Sequence, residues 1–240
     1  MKIQHLLSYA RRAIQDYHMI EEGDRIAVGI SAGKDSLALL LALRHLQYFY
    51  PKKFELEAIT VSLGFDNFDL SGVIAFCEKL GVRYTVYETE IGKIVFDERK
   101  ESNPCSLCSK MRKGALNDKA KELGCNKIAL GHNQDDINET LLMSLFYEGR
   151  IHTMSPVTYL ERAELTIIRP LIYAPEKDIK YFAKKEGLPV VKSPCPADGV
   201  TRRETTKQLI YKLEKEIPSL SSHLFGAIER SEIDGWKARS

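Results

Sequence analysis

Short apolar runs alternate with amphipathic stretches along most of this chain. The apolar runs have the length of buried strands, and helical patterns lie between most of them. This alternation indicates an α/β protein in which a parallel sheet carries helices on both faces. Strands are predicted over residues 25–30, 56–61, 82–87, 127–130 and 165–168, and helices over 37–43, 70–80, 111–123 and 137–147.

The two ends of the chain differ from its middle. An apolar stripe from Ile3 to Tyr17 predicts an amphipathic helix, and Gly23 ends that region. Prolines beyond Pro189 break regular structure before a charged helix over 202–216. On that helix Leu209, Ile210 and Leu213 should face inward, and Pro218 should stop it. We expect an N-terminal helix (1–22), a main domain (23–192), and a Cys-bearing loop with a C-terminal helical appendage (193–240).

Composition narrows the class of protein. A chain of 240 residues with 44% hydrophobic residues can bury a large core without disulfides. It has no apolar run near the roughly 20 residues needed to cross a bilayer, and no signal-peptide core at Met1, so we expect a cytoplasmic protein. A net charge of +2 does not mark a nucleic-acid-binding protein. Such binding would need a local basic face, at 11–12, 110–113 or 202–215, and each of these is also typical of a solvated helix.

The segment after the first predicted strand has the composition of an anion site. Ser31–Ser36 reads Ser-Ala-Gly-Lys-Asp-Ser, and its small residues let a phosphate approach the backbone. The first amides of the next helix lack partners within it, and the helix dipole favours negative charge there. The spacing excludes a Walker A loop, because Gly29 and Gly33 are too close and Asp35 replaces the magnesium-binding hydroxyl. The alternative is an ordinary turn capped by Ser31 or Asp35.

A second polar segment, Gly131–Thr140, also follows a predicted strand and opens a helix. The carboxyl ends of parallel strands meet at one edge, so both segments should open on one crevice. Asp135 and Glu139 are four residues apart and share a helix face, which Asp136 adjoins. Beside a triphosphate such carboxylates imply a cation, and Mg²⁺ takes one or two carboxylates plus phosphate oxygens. The same residues also suit a helix start capped by Asn133.

The five cysteines are an odd number, which argues against a disulfide framework in a cytoplasmic chain. Cys105 and Cys108 follow a proline suited to helix entry, so they should face the same way with thiol pKa values lowered by the helix dipole. Cys195 supplies a third thiol, and three cysteines could ligate zinc or an iron–sulfur cluster, whereas two alone could be a redox pair. Cys77 and Cys125 lie on apolar faces, where we expect core residues.

Taken in order, these motifs resemble the tRNA 2-thiocytidine synthetase family of ATP pyrophosphatases. Ser31–Ser36 is similar to the family's PP-loop, Ser-Gly-Gly-x-Asp-Ser, except that Ala32 replaces the first Gly. An alanine there is strained if the loop needs a positive φ angle. Cys-x-x-Cys, Gly-His-x-x-Asp-Asp-x-x-Glu-Thr, Arg-Pro-Leu at 169–171 and a solitary Cys follow. The resemblance covers about residues 23–195, including 149–156 and 176–179.

The resemblance implies a Rossmann-like fold of the adenine nucleotide alpha hydrolase type, with N- and C-terminal helices added. It implies an enzyme that splits ATP between the α and β phosphates and moves AMP onto a pyrimidine C2 oxygen in tRNA, at cytidine 32, where sulfur then displaces it. Family members use ATP, Mg²⁺ and a [4Fe-4S] cluster with one iron open to a hydrosulfide. The implied partners are tRNA and a sulfur donor such as a cysteine desulfurase, with a homodimer as an option and no membrane.

The resemblance also assigns roles to residues of this chain. Lys34 would stabilise charge on the leaving pyrophosphate, and Arg169 would reach phosphate or RNA, its alternative being an ordinary ion pair at a strand end. The implied catalytic residues are Lys34, Asp35, Asp135 and Arg169. ATP would be bound by Ser31, Ala32, Gly33, Lys34, Asp35, Ser36, Gly131 and His132. Mg²⁺ would be held by Asp35, Asp135 and Asp136, and the cluster by Cys105, Cys108 and Cys195.

Three other functions compete with this hypothesis. A tRNA lysidine synthetase shares the PP-loop and adenylates cytidine, but it has no reason to carry three cysteines. A tRNA 2-thiouridine synthetase is the second alternative, and its relatives often have extra Cys pairs near the termini, which this sequence lacks. A zinc-stabilised tRNA-binding module without catalysis would not need Asp35 or the phosphate loop.

Overall fold

Six strands form one sheet in the computed structural model, which describes residues 2–99, 104–196 and 201–237. The strand order is β3-β2-β1-β4-β6-β5, and all neighbours are parallel except the β5–β6 pair. Each strand predicted from the apolar runs is present within two residues of its expected ends. The strands are β1 Asp24–Gly29, β2 Phe54–Ser62, β3 Arg83–Glu88, β4 Lys127–Ala129, β5 Val157–Leu160 and β6 Leu165–Ile168.

Helices connect the strands and extend both ends of the described chain. They are α1 Ile3–Asp16, α2 Lys34–Leu46, α3 Ser71–Leu80, α4 Ile91–Lys93, α5 Pro104–Glu122, α6 Gln134–Met143, α7 Glu176–Lys185, α8 Arg202–Glu214 and α9 Leu220–Ser231. α4 continues as a π-helix over Ile94–Arg99, α6 does so over Ser144–Glu148, and a 3₁₀ turn at Ile233–Gly235 follows α9. No helix in the described ranges is both long and apolar enough to cross a membrane.

The antiparallel edge strand β5 was not predicted. It is four residues long and pairs with β6, with Val157 opposite Ile168 and Leu160 opposite Leu165. A run this short, directly after a proline, has too little apolar periodicity to separate a strand from a loop. Its pairing depends on β6, so the tertiary structure decides it.

Helices cover both faces of the sheet, which confirms the predicted α/β class. One face is buried under a large cluster that includes α2, from Leu37 to Leu46. A smaller cluster on the other face contains Ala27, Ile59 and Ile128, against which Leu116 of α5 packs. α2 is buried on almost all sides, as its run of seven apolar residues predicted.

The C-terminal helices pack against the main core. Phe225 and Ile228 of α9 and the following Trp236 belong to the same buried cluster as α2. On α8, Ile210 faces inward as expected, but the prediction for Leu209 was wrong because its side chain is 37% exposed. The buried residues of α8 are Thr206 and Ile210, so the helix has no broad apolar face.

The strand order places the two polar segments at one point. Connections from β1 lead to β2 and β3 on one side, whereas β4 and β6 lie on the other side of β1. The loops that follow β1 and β4 therefore diverge from a topological switch point, where α/β sheets form their ligand crevice. These two loops contain Ser31 and Gly131, which the sequence had placed on one crevice.

Candidate functional site

A cavity of about 540 Å³ opens at this switch point, a volume typical of small-molecule sites. Its wall includes residues from both polar segments, from the ends of β2 and β6, and from α5. It also includes Cys195 and its neighbours from the segment after α7. Among the residues implied to bind ATP, those that line the cavity are Ser31, Asp35, Ser36, Gly131 and His132. Ala32, Gly33 and Lys34 are not part of its wall.

The Ser31–Ser36 loop is an open helix start rather than a capped turn. The N-cap of α2 is Gly33, and no side chain caps the helix there, so the alternative with Ser31 or Asp35 as N-cap was wrong. Ser36 Oγ instead donates to the Gly33 carbonyl at 3.0 Å, which closes the loop on itself. The uncapped first turn of α2 therefore leaves its amides available to an anion.

Ala32 adopts the left-handed conformation that the resemblance had flagged as strained, with φ of 60°. It is fully buried, and its carbonyl accepts a hydrogen bond from the Val191 amide at 3.0 Å. Val191 lies four residues before Cys195. The strained residue is thus held by the segment that carries the third cysteine.

Gly131 brings the second loop into direct contact with the first. A Cβ at this position would lie 2.9 Å from the Asp35 carbonyl carbon and 3.0 Å from the Ser36 amide nitrogen. The two loops can approach this closely because residue 131 has no side chain. Asn133 strengthens the contact, since its side-chain amide donates to Asp35 Oδ1 at 3.1 Å.

Two of the three predicted magnesium ligands face the cavity. Asp35 and Asp136 both line it. Burial is the main cause that raises the pKa of each carboxyl, and the charge of Asp136 raises that of Asp35 further. Buried carboxylates whose charged forms are disfavoured in this way favour a cation between them.

The third predicted ligand, Asp135, and the loop lysine are not part of the cavity wall, and both contact the start of α7. Asp135 Oδ2 accepts the Glu176 backbone N–H at 2.7 Å, at the start of α7. The Lys34 ammonium lies 2.8 Å from both Asp35 Oδ2 and Glu176 Oε1. Asp135 therefore connects α6 to α7, and Lys34 connects the Ser31–Ser36 loop to α7. Asp35 and Asp136 are the carboxylates that line the cavity.

Arg169 is a cation of the cavity wall that no carboxylate neutralises within the described ranges. Its Nη1 donates to the Ser155 carbonyl at 2.6 Å and to Thr158 Oγ1 at 3.2 Å. Burial lowers its pKa to about 10, and its Nε has no hydrogen-bond partner. The alternative of an ordinary ion pair at a strand end is therefore wrong, and Arg169 is available to an anionic ligand.

His132 is neutral at physiological pH. Burial, followed by the charges of Arg169, Arg203 and Arg112, lowers its pKa to about 3. Its Nδ1 is buried without a hydrogen-bond partner in the described structure. The site thus contains a neutral imidazole with one buried, unused polar atom, close enough to three arginines for their charges to lower its pKa.

One of the three candidate cluster ligands, Cys195, is part of the cavity wall, whereas Cys105 and Cys108 are not. All three thiols are free, and Cys195 lines the cavity together with Ser109, which follows Cys108. The pKa of Cys108 is raised, first by burial and also by the neighbouring thiols of Cys195 and Cys105. The expectation of a lowered thiol pKa was therefore wrong for Cys108, where burial raises it.

These thiols suit an iron–sulfur cluster by the chemistry of the donors. Thiolates are the soft ligands that such clusters take, one to each iron. Among the described residues no three His, Cys, Asp or Glu side chains converge as ligands of a single ion would. Cys77 and Cys125 are buried in the core as expected, and burial raises the pKa of each to about 11.

Several charged residues of the site had not been predicted individually. Arg203 pairs with Glu139 and Asp136, and Lys207 pairs with Glu176. Both cations lie on α8, where the sequence indicates a candidate basic face for nucleic acid rather than part of this site. The available signal was their spacing of four residues on one helix, which cannot identify the carboxylates they meet.

Comparisons with known proteins agree with this geometry. A family model described as a PP-loop domain matches residues 5–213. The tRNA-cytidine(32) 2-sulfurtransferases of Syntrophotalea carbinolica and Geobacter sulfurreducens are 40% and 38% identical to this chain over 220 residues. Those alignments cover 90% of this chain and 85% and 86% of the two relatives.

Solved structures give the same result. The U34-tRNA thiolase NcsA from Methanococcus maripaludis, solved with its [4Fe-4S] cluster, superimposes with a TM-score of 0.77 at 26% identity. That match covers 93% of this chain and 77% of the thiolase. An NH3-dependent NAD synthetase from Campylobacter jejuni, at 15% identity and a TM-score of 0.52, shares the fold alone. This chain therefore belongs to the PP-loop family and, within it, to the group that contains the tRNA-cytidine(32) 2-sulfurtransferases.

Proposed function

We propose that this protein is an ATP-dependent tRNA thiolase that replaces the C2 oxygen of cytidine 32 with sulfur. One observation carries the proposal: the uncapped PP-loop helix and the Cys195 segment line the same cavity. Activation of the base by AMP and delivery of sulfur must occur at one carbon atom, so the two sites have to share a space. The relatives at 38–40% identity support cytidine 32 as the target.

The first step is attack of the pyrimidine C2 oxygen on the α-phosphate of ATP. Pyrophosphate would leave against the open amides at the start of α2, whose dipole stabilises the growing negative charge. Arg169, which no carboxylate neutralises in the described structure, would hold the phosphates or the RNA. The Lys34 ammonium lies 2.8 Å from carboxylate oxygens of Asp35 and Glu176. It would act as the cation that orients the Asp35 carboxylate.

Asp35 and Asp136 are the residues that would hold Mg²⁺. Both line the cavity and their pKa values are raised by burial, so a cation beside them is favourable. Bound there with phosphate oxygens, Mg²⁺ would neutralise charge on the polyphosphate. Asp135 would contribute indirectly, because its carboxylate holds the start of α7.

Cys105, Cys108 and Cys195 would hold the [4Fe-4S] cluster. With three protein ligands the cluster keeps one iron open to a sulfur species. The chain's own contribution is placement: the Val191 amide donates to the Ala32 carbonyl, so the Cys195 segment is fixed against the PP-loop. A cysteine desulfurase is a suitable sulfur donor, a homodimer is an option, and the expected compartment is the cytoplasm.

The test uses protein purified without oxygen. It should be brown, contain about four iron atoms per chain, and convert unmodified tRNA to a 2-thiocytidine-containing product with ATP and sulfide. Mass spectrometry of the nucleosides gives the modified base. Cys195→Ala should lose iron and thiolation yet bind ATP, whereas the matched core variant Cys77→Ala should keep its iron.

The products of ATP separate this proposal from its alternatives. Thiolation should release AMP and pyrophosphate in step with tRNA modification, since the split lies between the α and β phosphates. ADP and phosphate would contradict the PP-loop assignment. Incorporation of lysine would favour a lysidine synthetase, 2-thiouridine would favour the uridine enzymes, and stoichiometric zinc without turnover would favour a binding module.

A further inference from the structure

Helix α8 reaches the candidate site with two cations one turn apart. Arg203 and Lys207 are four residues apart, so they share the face that packs on α6 and α7. Arg203 Nη1 lies 3.1 Å from Glu139 Oε2 and 3.4 Å from Asp136 Oδ1. Lys207 Nζ lies 2.6 Å from Glu176 Oε2. One helix face therefore contacts two carboxylates of α6 and one of α7.

Arg203 contacts more of α6 than one ion pair requires. Its Nη2 donates to Thr140 Oγ1 at 3.2 Å, in addition to the contacts of Nη1 with Glu139 and Asp136. A guanidinium presents its N–H donors in a fixed planar fork, so it can satisfy acceptors that diverge in this way. Arg203 thus spans the turn of α6 that carries Asp136 into the cavity wall.

The Asp136 carboxylate is held from both sides. Its Oδ2 accepts the Asn133 backbone N–H at 2.9 Å, which forms half of the capping box of α6. Its Oδ1 faces Arg203, and both Asp136 and Asp35 line the cavity. The helix cap holds one oxygen and Arg203 approaches the other, so the two contacts together constrain the orientation of the carboxylate.

We propose that Arg203 is a positioning residue for the adenylation step, an inference that rests on the proposed function. From α8 it fixes the rotamer of Asp136, so that this carboxylate and that of Asp35 face the polyphosphate together. α8 begins seven residues after Cys195. The element that follows the third cysteine therefore sets the geometry of the nucleotide site.

A purely structural role for Arg203 must be separated from positioning. Glu139 is 4% exposed, and removing Arg203 alone would leave its charge buried and unpaired, which strongly destabilises a fold. The informative variant is therefore the double substitution Glu139→Gln with Arg203→Met, compared with Glu139→Gln alone. Arg162→Met removes an exposed guanidinium and serves as the matched control.

Four quantities are measured on the holoprotein: the melting temperature, kcat for AMP formation, KM for ATP, and the rise in melting temperature that ATP causes with and without Mg²⁺. The double variant should melt close to Glu139→Gln. Its kcat should fall by about tenfold to a hundredfold with KM for ATP nearly unchanged, because Asp136 is misplaced in the transition state. Mg²⁺ should no longer add to the thermal shift caused by ATP, whereas Arg162→Met should match the wild type.

Equal kcat and equal Mg²⁺-dependent thermal shifts in the double variant and in Glu139→Gln would overturn the inference, because Arg203 would then merely neutralise Glu139. If the wild-type holoprotein forms no AMP with tRNA, the proposed function fails. In that case the thermal-shift comparison alone decides whether Arg203 positions Asp136.

Discussion

Ala32 shows how one residue can depart from a family motif without loss of the loop geometry. Its φ of 60° is the conformation that glycine adopts freely and that costs other residues about 1–2 kcal/mol. Burial of its methyl group, worth about 0.8 kcal/mol, and the hydrogen bond from Val191 offset much of that cost. The loop thus requires a positive φ at residue 32. A methyl side chain is tolerated there because it packs in the core.

Gly131 is the position where a single methyl group should damage the site. In Gly131→Ala the added carbon meets the Asp35 backbone at 2.9–3.0 Å, so the two loops must separate. We expect at least a tenfold loss of ATP affinity and a cost of about 1–3 kcal/mol in unfolding free energy. Equilibrium binding of ATP and urea unfolding measure the two effects.

Gly114 provides the matched control for that substitution. It lies within α5 and a Cβ there meets no atom within 4 Å. Gly114→Ala should therefore leave ATP affinity unchanged and stabilise the protein by about 0.5–1 kcal/mol. Wild-type ATP affinity in Gly131→Ala would show that the close contact of the loops does not shape the site.

Glu139 should make stability depend on pH. Burial and the charge of Asp136 raise its pKa from 4.5 to about 7, against the opposing effect of Arg203. The folded protein then holds a proton that the unfolded chain releases, so this contribution to stability is lost as pH rises from 4.5 through 7. Glu139→Gln does not titrate, and relative to wild type it should gain about 1–3 kcal/mol between pH 5 and pH 8.

Urea unfolding at pH 5, 6, 7 and 8 tests this expectation, with the exposed Glu161→Gln as a control whose profile should follow that of the wild type. Parallel stability profiles for wild type and Glu139→Gln would mean that Glu139 ionises normally in the folded protein.

At the scale of the elements, α6 shows that a structural and a functional role can reside in the same residues. Asn133 and Asp136 form a capping box at its start, which is what the structural alternative predicted. The same Asp136 lines the cavity, and Asn133 also bonds Asp35. The helix cap therefore holds one oxygen of a carboxylate in the cavity wall, and the two interpretations of the sequence do not exclude each other.

The C-terminal turn supports the site through the core. Trp236 is 1% exposed, its ring lies 5.8 Å from that of Tyr17 and 5.4 Å from that of Phe225, and its indole donates to the Met154 carbonyl at 3.0 Å. Trp236→Ala should lower the unfolding free energy by about 3–5 kcal/mol in urea titrations. Tyr181→Ala, at a position that is 59% exposed, should cost less than about 0.5 kcal/mol. Similar costs for both would mean that the C-terminal turn is not part of the core.

For the whole molecule, the small net charge hides an uneven distribution of cations. Arg203 and Lys207 are engaged with carboxylates inside the fold, and Arg12 lies over the ring of Tyr173 at 4.0 Å. Arg112 and Lys113 of α5 line the cavity and pair with no carboxylate in the described ranges. The face of α5 beside the cysteines is therefore the best candidate for contact with tRNA phosphates.

Binding of tRNA should consequently depend on salt through α5. We expect affinity to fall at least tenfold between about 50 and 200 mM salt, and Lys110→Gln to reduce the slope of log affinity against log salt by about 1. Arg11→Gln on α1 should leave that slope unchanged. Filter binding across this range measures it, and equal effects of the two substitutions would move the RNA away from α5.

The sequence by itself determined the α/β class, five of the six strands and the two polar segments, because these follow from local apolar periodicity and from the rule that parallel strands end at one edge. It also identified the three cysteines as candidate cluster ligands, since residue type and order can be seen in the sequence itself. Only the tertiary structure decided that Asp35 and Asp136 face the cavity while Asp135 holds α7, because rotamers depend on the neighbours that α7 and α8 supply. The pairing of β5 was likewise decided there, because it depends on the neighbouring β6 rather than on periodicity within β5. So were the ion pairs of Arg203, since residues more than 60 positions apart leave no periodic trace in either segment.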